Sequence, residues 1–471
     1  MNKNRFDAIL AGNYLTSLVA ALGLARSGKR VCIVNPLPGW GGHFTRMVVA
    51  GINFDPGAIS HEFTVYSDEQ LSNPLRFDSR RRNDVARFNR HIEEFTRANI
   101  DLHRTALPNT VYAGQFFPDI ITGNRLDVLQ HPVLAARIAD EQEFLATLSE
   151  RDLHPRDKKS NPVYARKSYY EASLQNHGAT LHSAIFEPMF HKMSGMSTTR
   201  LLALYHRIAW LPIYYPETLR SQYQSQPQRL PETYFSYPTA GYIGVLGETL
   251  FQRLQEAGAT IVRDPVESID DQPGCTALVM KGGRRLEAPH VAWSLAHDQI
   301  ICNITGAPPN KFERWSAMLV FALVPRLLLT KDFSVLYVPD DSVVFYRACN
   351  QSSSAGMDEE QVRIVVEVNP EFAAAQGLVS EADIVQRVKC DLASLGIVGE
   401  PEHLNIVGAR VMRNVLLLPS RDNWQLLEKE RDILLEAYPR VHFTRNVEAF
   451  FTDTLNDQII KGMKLVEQFR G

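Results

Sequence analysis

Residues 7–35 have the sequence DAILAGNYLTSLVAALGLARSGKRVCIVN, and this stretch decides the fold. It predicts strands at 7–10 and 30–34 with a helix at 16–26 between them, and Gly12 marks the tight turn after the first strand. A strand, a helix and a second strand within about 30 residues form a βαβ unit with parallel strands. Both strands are apolar throughout, which indicates a sheet that is covered on both faces.

The composition is that of an ordinary globular protein. Of 471 residues, 45% are hydrophobic and 22% are charged, which excludes a disordered or collagen-like chain. Lys and Arg number 50 against 53 Asp and Glu, a formal net charge of −3. A chain so nearly balanced is not built around a nucleic-acid-binding surface, so we predict no nucleic-acid partner.

Cysteine usage and hydropathy indicate a reducing compartment. The N-terminal residues lack the apolar segment of a secretory signal, and no uninterrupted apolar run reaches about 18 residues. We therefore expect a soluble, cytoplasmic protein with no transmembrane segment. The cysteines are scattered without a CxxC pair, which predicts buried thiols rather than disulfides or a metal site: Cys32, Cys275, Cys302, Cys349 and Cys390.

The turn after the first strand is where a parallel sheet of this kind binds a pyrophosphate, on backbone N–H groups at a helix N-terminus. The three glycine positions of the usual Gly-x-Gly-x-x-Gly fingerprint hold Gly12, Tyr14 and Ser17 here. Ser17 is small enough for helix–strand packing, whereas Tyr14 brings a ring where the backbone normally approaches the phosphates. Asn35 replaces the acidic residue that usually holds a ribose hydroxyl. These residues alone do not distinguish a dinucleotide-binding site from an ordinary tight turn between a strand and a helix.

The sequence beyond the βαβ unit resembles a known superfamily. Gly41-Gly42, followed by His43, comes after the second strand, and FDPGA at 54–58 follows a hairpin-like stretch. These two features resemble the start of the flavin-dependent amine oxidase and phytoene desaturase superfamily, which includes protoporphyrinogen oxidase and, more distantly, UDP-galactopyranose mutase. In that superfamily the double glycine lies alongside the flavin. The resemblance implies FAD as the cofactor.

Later stretches agree with this resemblance. YPTAG at 237–241 is similar to the Y-P-x-G-G segment of the superfamily, and Val266 lies where the superfamily has a backbone contact beside the adenine. FFTD at 450–453, before a closing helix, resembles the C-terminal G-D motif with Thr452 in place of glycine. Its aspartate, Asp453, would hold the ribityl–phosphate end of the flavin. The cofactor residues that the resemblance implies are Gly12, Tyr14, Ser17, Asn35, Gly41, Gly42, His43, Val266 and Asp453.

The resemblance also implies the architecture, which is α/β. We expect an FAD/NAD(P)-binding, Rossmann-like domain assembled from discontinuous segments, with an inserted α+β substrate domain. Residues 1–75, 235–300 and 400–471 would form the first domain. Residues 76–234, which we predict to be largely helical, and 301–399 would form the second.

Substrate residues are predicted from the insertion and from the second domain. Polar and aromatic residues are dense between positions 187 and 217 and could line a polar pocket, and Arg347 could pair with a substrate carboxylate or phosphate. Two alternatives stay open: an exposed charged helix face followed by a proline-rich loop and, for Arg347, a surface position on an edge strand. The candidates are His191, Lys192, Tyr205, Tyr215, Tyr237 and Arg347.

We therefore predict an FAD-dependent oxidoreductase of the amine oxidase/desaturase type. It would act on a polar small molecule by hydride transfer to the flavin, a step that needs little acid–base machinery from the protein. No catalytic residue is predicted, because the sequence has neither a nucleophile motif nor a metal-binding motif. The alternatives are a non-redox, flavin-dependent sugar-nucleotide mutase and a binding or accessory protein that keeps the fold with a degenerate FAD site.

Overall fold

The structure is a computed structural model that describes residues 4–65, 91–123, 125–139, 141, 166–214, 219, 232–444 and 454–470. Its strands, in chain order, are β1 (Ala8–Ala11), β2 (Val31–Val34), β3 (Met47–Val49), β4 (Ile52–Phe54), β5 (His61–Val65), β6 (Leu102–Arg104), β7 (Asn109–Tyr112), β8 (Gln115–Pro118), β9 (Glu232–Pro238), β10 (Thr260–Val262), β11 (Val266–Gln272), β12 (Cys275–Met280), β13 (Arg285–Ala288), β14 (His290–Trp293), β15 (Arg314–Pro325), β16 (Val335–Tyr337), β17 (Arg347–Asn350), β18 (Gln361–Val368), β19 (Asn405–Leu417) and β20 (Val441–Phe443). Its α-helices are α1 (Leu15–Arg26), α2 (Pro132–Ala139), α3 (Tyr169–Leu181), α4 (Glu187–Ser194), α5 (Val245–Glu256), α6 (Asp298–Thr305), α7 (Gln351–Ser354), α8 (Pro370–Ala375), α9 (Glu381–Ser394), α10 (Arg421–Ala437) and α11 (Leu455–Arg470).

A five-stranded parallel sheet carries the predicted βαβ unit. Its strand order is β10-β2-β1-β14-β20, and each neighbouring pair is parallel. Every residue of β1 and β2 is buried, with alternate side chains entering two different cores, so the sheet is covered on both faces as predicted. Because the strands come from three separated parts of the chain, no single part can form this sheet alone.

Helix α1 packs on one face of this sheet and against α11, the last helix. The approach of the two helices is close, because Gly462 of α11 has no side chain: a Cβ there would lie 2.6 Å from the Cβ of Val19. The apolar residues of α1 are buried along most of its length. This packing places the first turns of α1 and α11 side by side, next to the turn that follows β1.

The largest sheet has seven strands in the order β19-β15-β18-β17-β16-β7-β8. Its members come from the predicted insertion and from residues 301–399, with one addition. The predicted boundary at residue 400 assigns β19 to the cofactor domain, whereas β19 pairs with β15 over most of its length. Sequence reasoning could not place this segment, because the sheet that β19 joins depends on its hydrogen bonds with the distant strand β15.

A three-stranded antiparallel sheet, β5-β9-β6, connects the elements around α1 with the insertion. Within the insertion, which we predict to be largely helical, residues Ala203–Ala209 form a 3₁₀ helix with a kink at Tyr205. In the described part of the chain, no helix is both long and apolar enough to cross a membrane. The observed layers confirm the predicted fold class, an α/β protein with a Rossmann-like parallel sheet assembled from discontinuous segments.

Candidate cofactor and substrate site

The first strand and α1 meet in a tight turn at Gly12. This residue has φ = 128°, and a Cβ there would lie 2.0 Å from the Oγ of Ser294. The Ser294 hydroxyl donates to the carbonyl of Ala11 at 3.0 Å and lies 2.9 Å from the Oγ of Ser17. Both the backbone conformation and the crowding therefore require glycine at position 12. Ser17 joins α1 to β14, the packing that its small size predicts.

The N-terminus of α1 has hydrogen-bond donors that the chain leaves unused. The N–H of Leu15 donates to the Oε1 of Gln458 on α11 at 2.9 Å. The next two N–H groups belong to Thr16 and Ser17, which are buried, and neither has an acceptor among the residues that the structure describes. Buried donors at the positive end of a helix are the arrangement that binds a phosphate group.

The loop that follows β2 folds back on this turn. The N–H of Gly41 donates to the carbonyl of Asn13 at 2.7 Å, which brings the double glycine beside the start of α1. Asn35 is buried; its Nδ2 donates to the carbonyl of Gly39 at 3.1 Å and its Oδ1 accepts from the N–H of Leu37 at 2.9 Å. The Asn35 amide thus holds the loop itself, and a contact with a ribose stays a prediction.

Tyr14, the N-cap residue of α1, directs its ring onto the double glycine. A Cβ at Gly42 would lie 2.8 Å from the Cδ1 of Tyr14, so the missing side chain makes room for the ring. The ring centre lies 5.7 Å from that of the exposed His43. Most of the predicted cofactor residues thus lie around one turn: Gly12, Tyr14, Ser17, Asn35, Gly41, Gly42 and His43.

Two members of the predicted cofactor set lie elsewhere. Val266 is the first residue of β11, and Arg263 just before it donates to the carbonyl of Leu37 at 3.1 Å, so this segment meets the loop after β2. Asp453, like Thr452, lies outside the described residues. The residues around the turn fit the pyrophosphate of a dinucleotide such as FAD, because buried N–H donors lack acceptors there and glycine backbone surrounds them.

Residues 54–58 carry two buried polar networks. In the first, Asp55 accepts hydrogen bonds from the phenol of Tyr237 and from the N–H of Ile243, the latter at 2.8 Å. The Nε2 of Gln351 donates to the same phenol oxygen at 2.9 Å. Burial raises the pKa of Asp55 to about 7, although the Tyr237 hydrogen bond acts to lower it. Burial and then the charge of Asp55 raise the pKa of Tyr237 well above its ordinary value.

The second network centres on Glu367 of β18. Its carboxylate accepts from the Nε and Nη2 of Arg347 at 2.7 and 2.8 Å, from the hydroxyl of Tyr346 at 2.9 Å and from the N–H of Ala58 at 2.7 Å. Arg347 is buried; burial opposes its charge, but the Glu367 carboxylate raises its pKa above the ordinary value. The edge-strand alternative for Arg347 is wrong, because β17 lies between β16 and β18.

Trp210 covers the outer side of this ion pair. The Arg347 guanidinium carbon lies 4.1 Å from the centre of a Trp210 ring, in stacking range. Trp210 has φ = 53°, a conformation that is costly for a bulky residue and that tends to occur at functional sites. Its side chain is partly exposed. The partly exposed indole therefore stacks on a buried ion pair whose carboxylate also binds the N–H of Ala58.

The other predicted substrate residues have different surroundings. Lys192 is fully buried and donates from Nζ to the carbonyls of Val338 and Asp340, each at 2.7 Å. Burial lowers its pKa to about 7. These bonds hold the connection between β16 and β17, so the observed role of Lys192 is to support that connection. His191 is exposed and lies edge-on to Phe372, with ring centres 5.8 Å apart.

Two tyrosines of the predicted substrate set remain. Tyr205 packs beside Leu202 and Leu427, in a small apolar cluster with α10. Tyr215 lies outside the described residues. The structure therefore brings Tyr237 and Arg347 to the two ends of segment 54–58, and it places Lys192, His191 and Tyr205 in other contacts.

Sequence reasoning missed three residues of this region: Glu367, Trp210 and Gln458. Glu367 was detectable, because it is the single acidic residue of the apolar strand RIVVEV at 363–368, and a charged residue in a buried strand is normally paired. Trp210 and Gln458 gave no such signal, since each acts through a contact with a distant part of the chain.

No protein-family model matches the sequence, and no curated protein matches it. The fold is similar to three kinds of solved structure. One is a reduced UDP-galactopyranose mutase, with a TM-score of 0.68 at 15% identity over 98% of this chain and 94% of that one. A second, described as a protoporphyrinogen oxidase from Exiguobacterium sp. 255-15, has a TM-score of 0.63 at 16% identity over 99% of both chains. A third, putrescine oxidase bound to putrescine, has a TM-score of 0.59 at 12% identity over 98% of both chains.

These similarities extend over nearly the whole chain, so this chain shares the fold of these solved structures, which is the kind of fold that the sequence resemblance implied. At such low identity the likeness is one of fold. What the chain binds and which reaction it supports are proposals, and they depend on the residues described above.

Proposed function

We propose that this protein is an FAD-dependent oxidoreductase that oxidises a polar small molecule by hydride transfer. The observation that carries the proposal lies in the first turn of α1. The N–H groups of the buried residues Thr16 and Ser17 have no acceptor among the described residues, and the glycine backbone of Gly12 and Gly41 lies next to them. Bound there, FAD would supply the hydride acceptor, so the protein's own part is to bind, orient and exclude water.

The substrate side of the proposal rests on the Glu367 network. Ala58 belongs to the FDPGA stretch, and its N–H is fixed by Glu367, so the Arg347–Glu367 pair and the Trp210 indole face the same segment. A partly exposed aromatic ring that lies over a buried ion pair offers a surface for stacking, rather than a long apolar channel. This surface suits a compact substrate with polar groups.

A direct test starts with the purified full chain. The visible absorption spectrum shows whether flavin is bound, and titration of flavin-free protein with FAD gives the affinity. A yellow protein whose flavin is bleached by a substrate amine or alcohol under anaerobic conditions, and recoloured by an electron acceptor, supports the oxidoreductase. Turnover of a sugar nucleotide without consumption of any acceptor would instead support the mutase alternative.

One observation favours a second candidate, a binding or accessory protein that keeps the fold without flavin chemistry. The ring of Tyr14 lies on Gly42, and the amide of Asn35 is committed to its own loop, so two positions that usually serve the dinucleotide have local partners here. A colourless protein that takes up no FAD after unfolding and refolding with excess FAD would support this candidate and contradict the oxidoreductase.

A further inference from the structure

Gln458, on the first turn of α11, reaches across to the start of α1. Its Oε1 accepts the N–H of Leu15 at 2.9 Å, and its backbone carbonyl accepts the hydroxyl of Thr16 at 3.1 Å. These bonds link residues more than 440 positions apart, 443 for the first and 442 for the second. The side-chain amide of Gln458 therefore lies at the positive end of α1, where the proposed phosphate site is.

The other end of this amide is unsatisfied. Gln458 is fully buried, yet its Nε2 has no hydrogen-bond partner in the described part of the chain. The amide cannot be turned over to correct this, because its NH₂ group would then face the N–H of Leu15. Buried amide donors are nearly always paired in folded proteins, since an unpaired one costs about 1–3 kcal/mol. The unpaired Nε2 thus indicates an acceptor that is supplied from outside the chain.

The donors beside Gln458 have the same property. The N–H groups of Thr16 and Ser17 have no acceptor among the described residues either, so two further donors lie at the helix end that Gln458 caps. An anion with several oxygens can accept from all of them at once, and a pyrophosphate is such an anion. A neutral amide suits this position, because one end accepts from the helix while the other donates to the anion.

We propose that Gln458 is a pyrophosphate-binding residue, whose Nε2 donates to a phosphate oxygen while its Oε1 holds the first N–H of α1. The donor from α11 would take over a contact that the glycine fingerprint loses at Tyr14. This inference rests on the proposed function, because FAD would bring the pyrophosphate. The same group is present in other dinucleotides and in ADP, so binding at Gln458 can be measured apart from flavin chemistry.

The decisive variant is Gln458→Glu. A carboxylate keeps an acceptor for the N–H of Leu15, so α11 should still dock on α1, but it removes the donor and adds negative charge beside the anion. We expect ADP and FAD each to bind the variant about tenfold to hundredfold more weakly than the parent, measured by calorimetric titration of flavin-free protein. Gln386→Glu makes the same charge change at an exposed position on α9 and should bind both as the parent does.

Gln458→Met, which removes donor and acceptor together, provides a second test if the glutamate variant does not fold. Melting temperatures without ligand show whether each variant is folded. Equal affinity for ADP in the parent and in a folded Gln458 variant would overturn the inference and leave Gln458 as a helix cap. A parent that binds ADP but not FAD would contradict the proposed function, and the ADP comparison would still decide the role of Gln458. A parent that binds neither would overturn both.

Discussion

The carboxylate of Glu367 holds the backbone N–H of Ala58 at 2.7 Å, although 309 positions separate the two residues. Ala58 belongs to the stretch that follows the double-glycine loop, and Glu367 lies in the middle of the seven-stranded sheet. The same carboxylate pairs with Arg347. The Glu367 side chain therefore links Arg347, in the proposed substrate surface, to the stretch that follows the double-glycine loop.

Replacing Glu367 by Gln should destabilise the protein strongly. The buried Arg347 guanidinium would lose its counter-charge, and removing one partner of a buried ion pair typically costs about 3–5 kcal/mol. We expect a loss of this size in the free energy of unfolding, measured by urea titration of flavin-free protein. Glu313→Gln is the matched control, because Glu313 pairs with Arg200 at 2.6 Å on the surface, where the cost should be about 1 kcal/mol or less. Equal losses in the two variants would contradict this reading of the buried pair.

Replacing Gly12 by Ala should disturb the first turn. An alanine at position 12 would have to keep the positive φ of the glycine, which should cost about 1–2 kcal/mol of unfolding free energy. Its methyl group would also collide with the Ser294 hydroxyl, which should cost about 1–3 kcal/mol more. Gly28→Ala separates the two effects: its φ is also positive, at 82°, but nothing lies within 4 Å of the added methyl. The difference in unfolding free energy between the variants measures the crowding. If the two variants lose the same stability, Ser294 moves aside freely and the turn is not rigid.

Asp55 should make a contribution to stability that falls as the pH rises from about 4 to about 7. Burial raises its pKa from 3.8 to about 7, so the unfolded chain releases the proton first while the folded protein retains it. Stability is therefore lost across this window, by an amount of the order of 4 kcal/mol. Asp55→Asn removes this contribution, so between about pH 4 and 7 the slope of its unfolding free energy against pH should be more positive than that of the parent. Asp358→Asn, at an almost fully exposed side chain, should follow the parent curve, and a parent-like slope in Asp55→Asn would count against the assignment.

Tyr14 should weaken the binding of FAD. Its ring lies against the double-glycine loop beside the N-terminus of α1, so Tyr14→Gly should tighten FAD binding, by about tenfold if the ring costs about 1.4 kcal/mol. Tyr14→Phe keeps the ring and should bind FAD like the parent. Fluorescence titration of flavin-free protein measures both. A glycine variant that binds FAD no better would show that the ring, packed on Gly42, already lies clear of the cofactor.

Much of the fold was predictable because its signals are local. The apolar runs of β1 and β2 and the glycine between β1 and α1 depend only on neighbouring residues, as does the closing helix α11. The capping box of Ser380 and Asp383 at the start of α9 is also a local signal, because the two residues are three positions apart. The location of the glycine loops beside α1 also followed from their order along the chain. A single glutamate in the apolar strand β18 indicates that this glutamate is buried and has a partner. The sequence does not show which residues its partners are.

The sequence by itself determined the strands of the parallel sheet and the tight turn after β1, where we propose that the cofactor binds, because hydrophobic periodicity, caps and tight turns act within about ten residues. Only the tertiary structure decided that Glu367 binds Ala58, that Gln458 caps α1 and that Tyr14 lies on Gly42. The first two contacts join residues hundreds of positions apart, and the third depends on how two loops fold over each other. No local pattern specifies such pairs, because they form only when the separated segments have packed into one core.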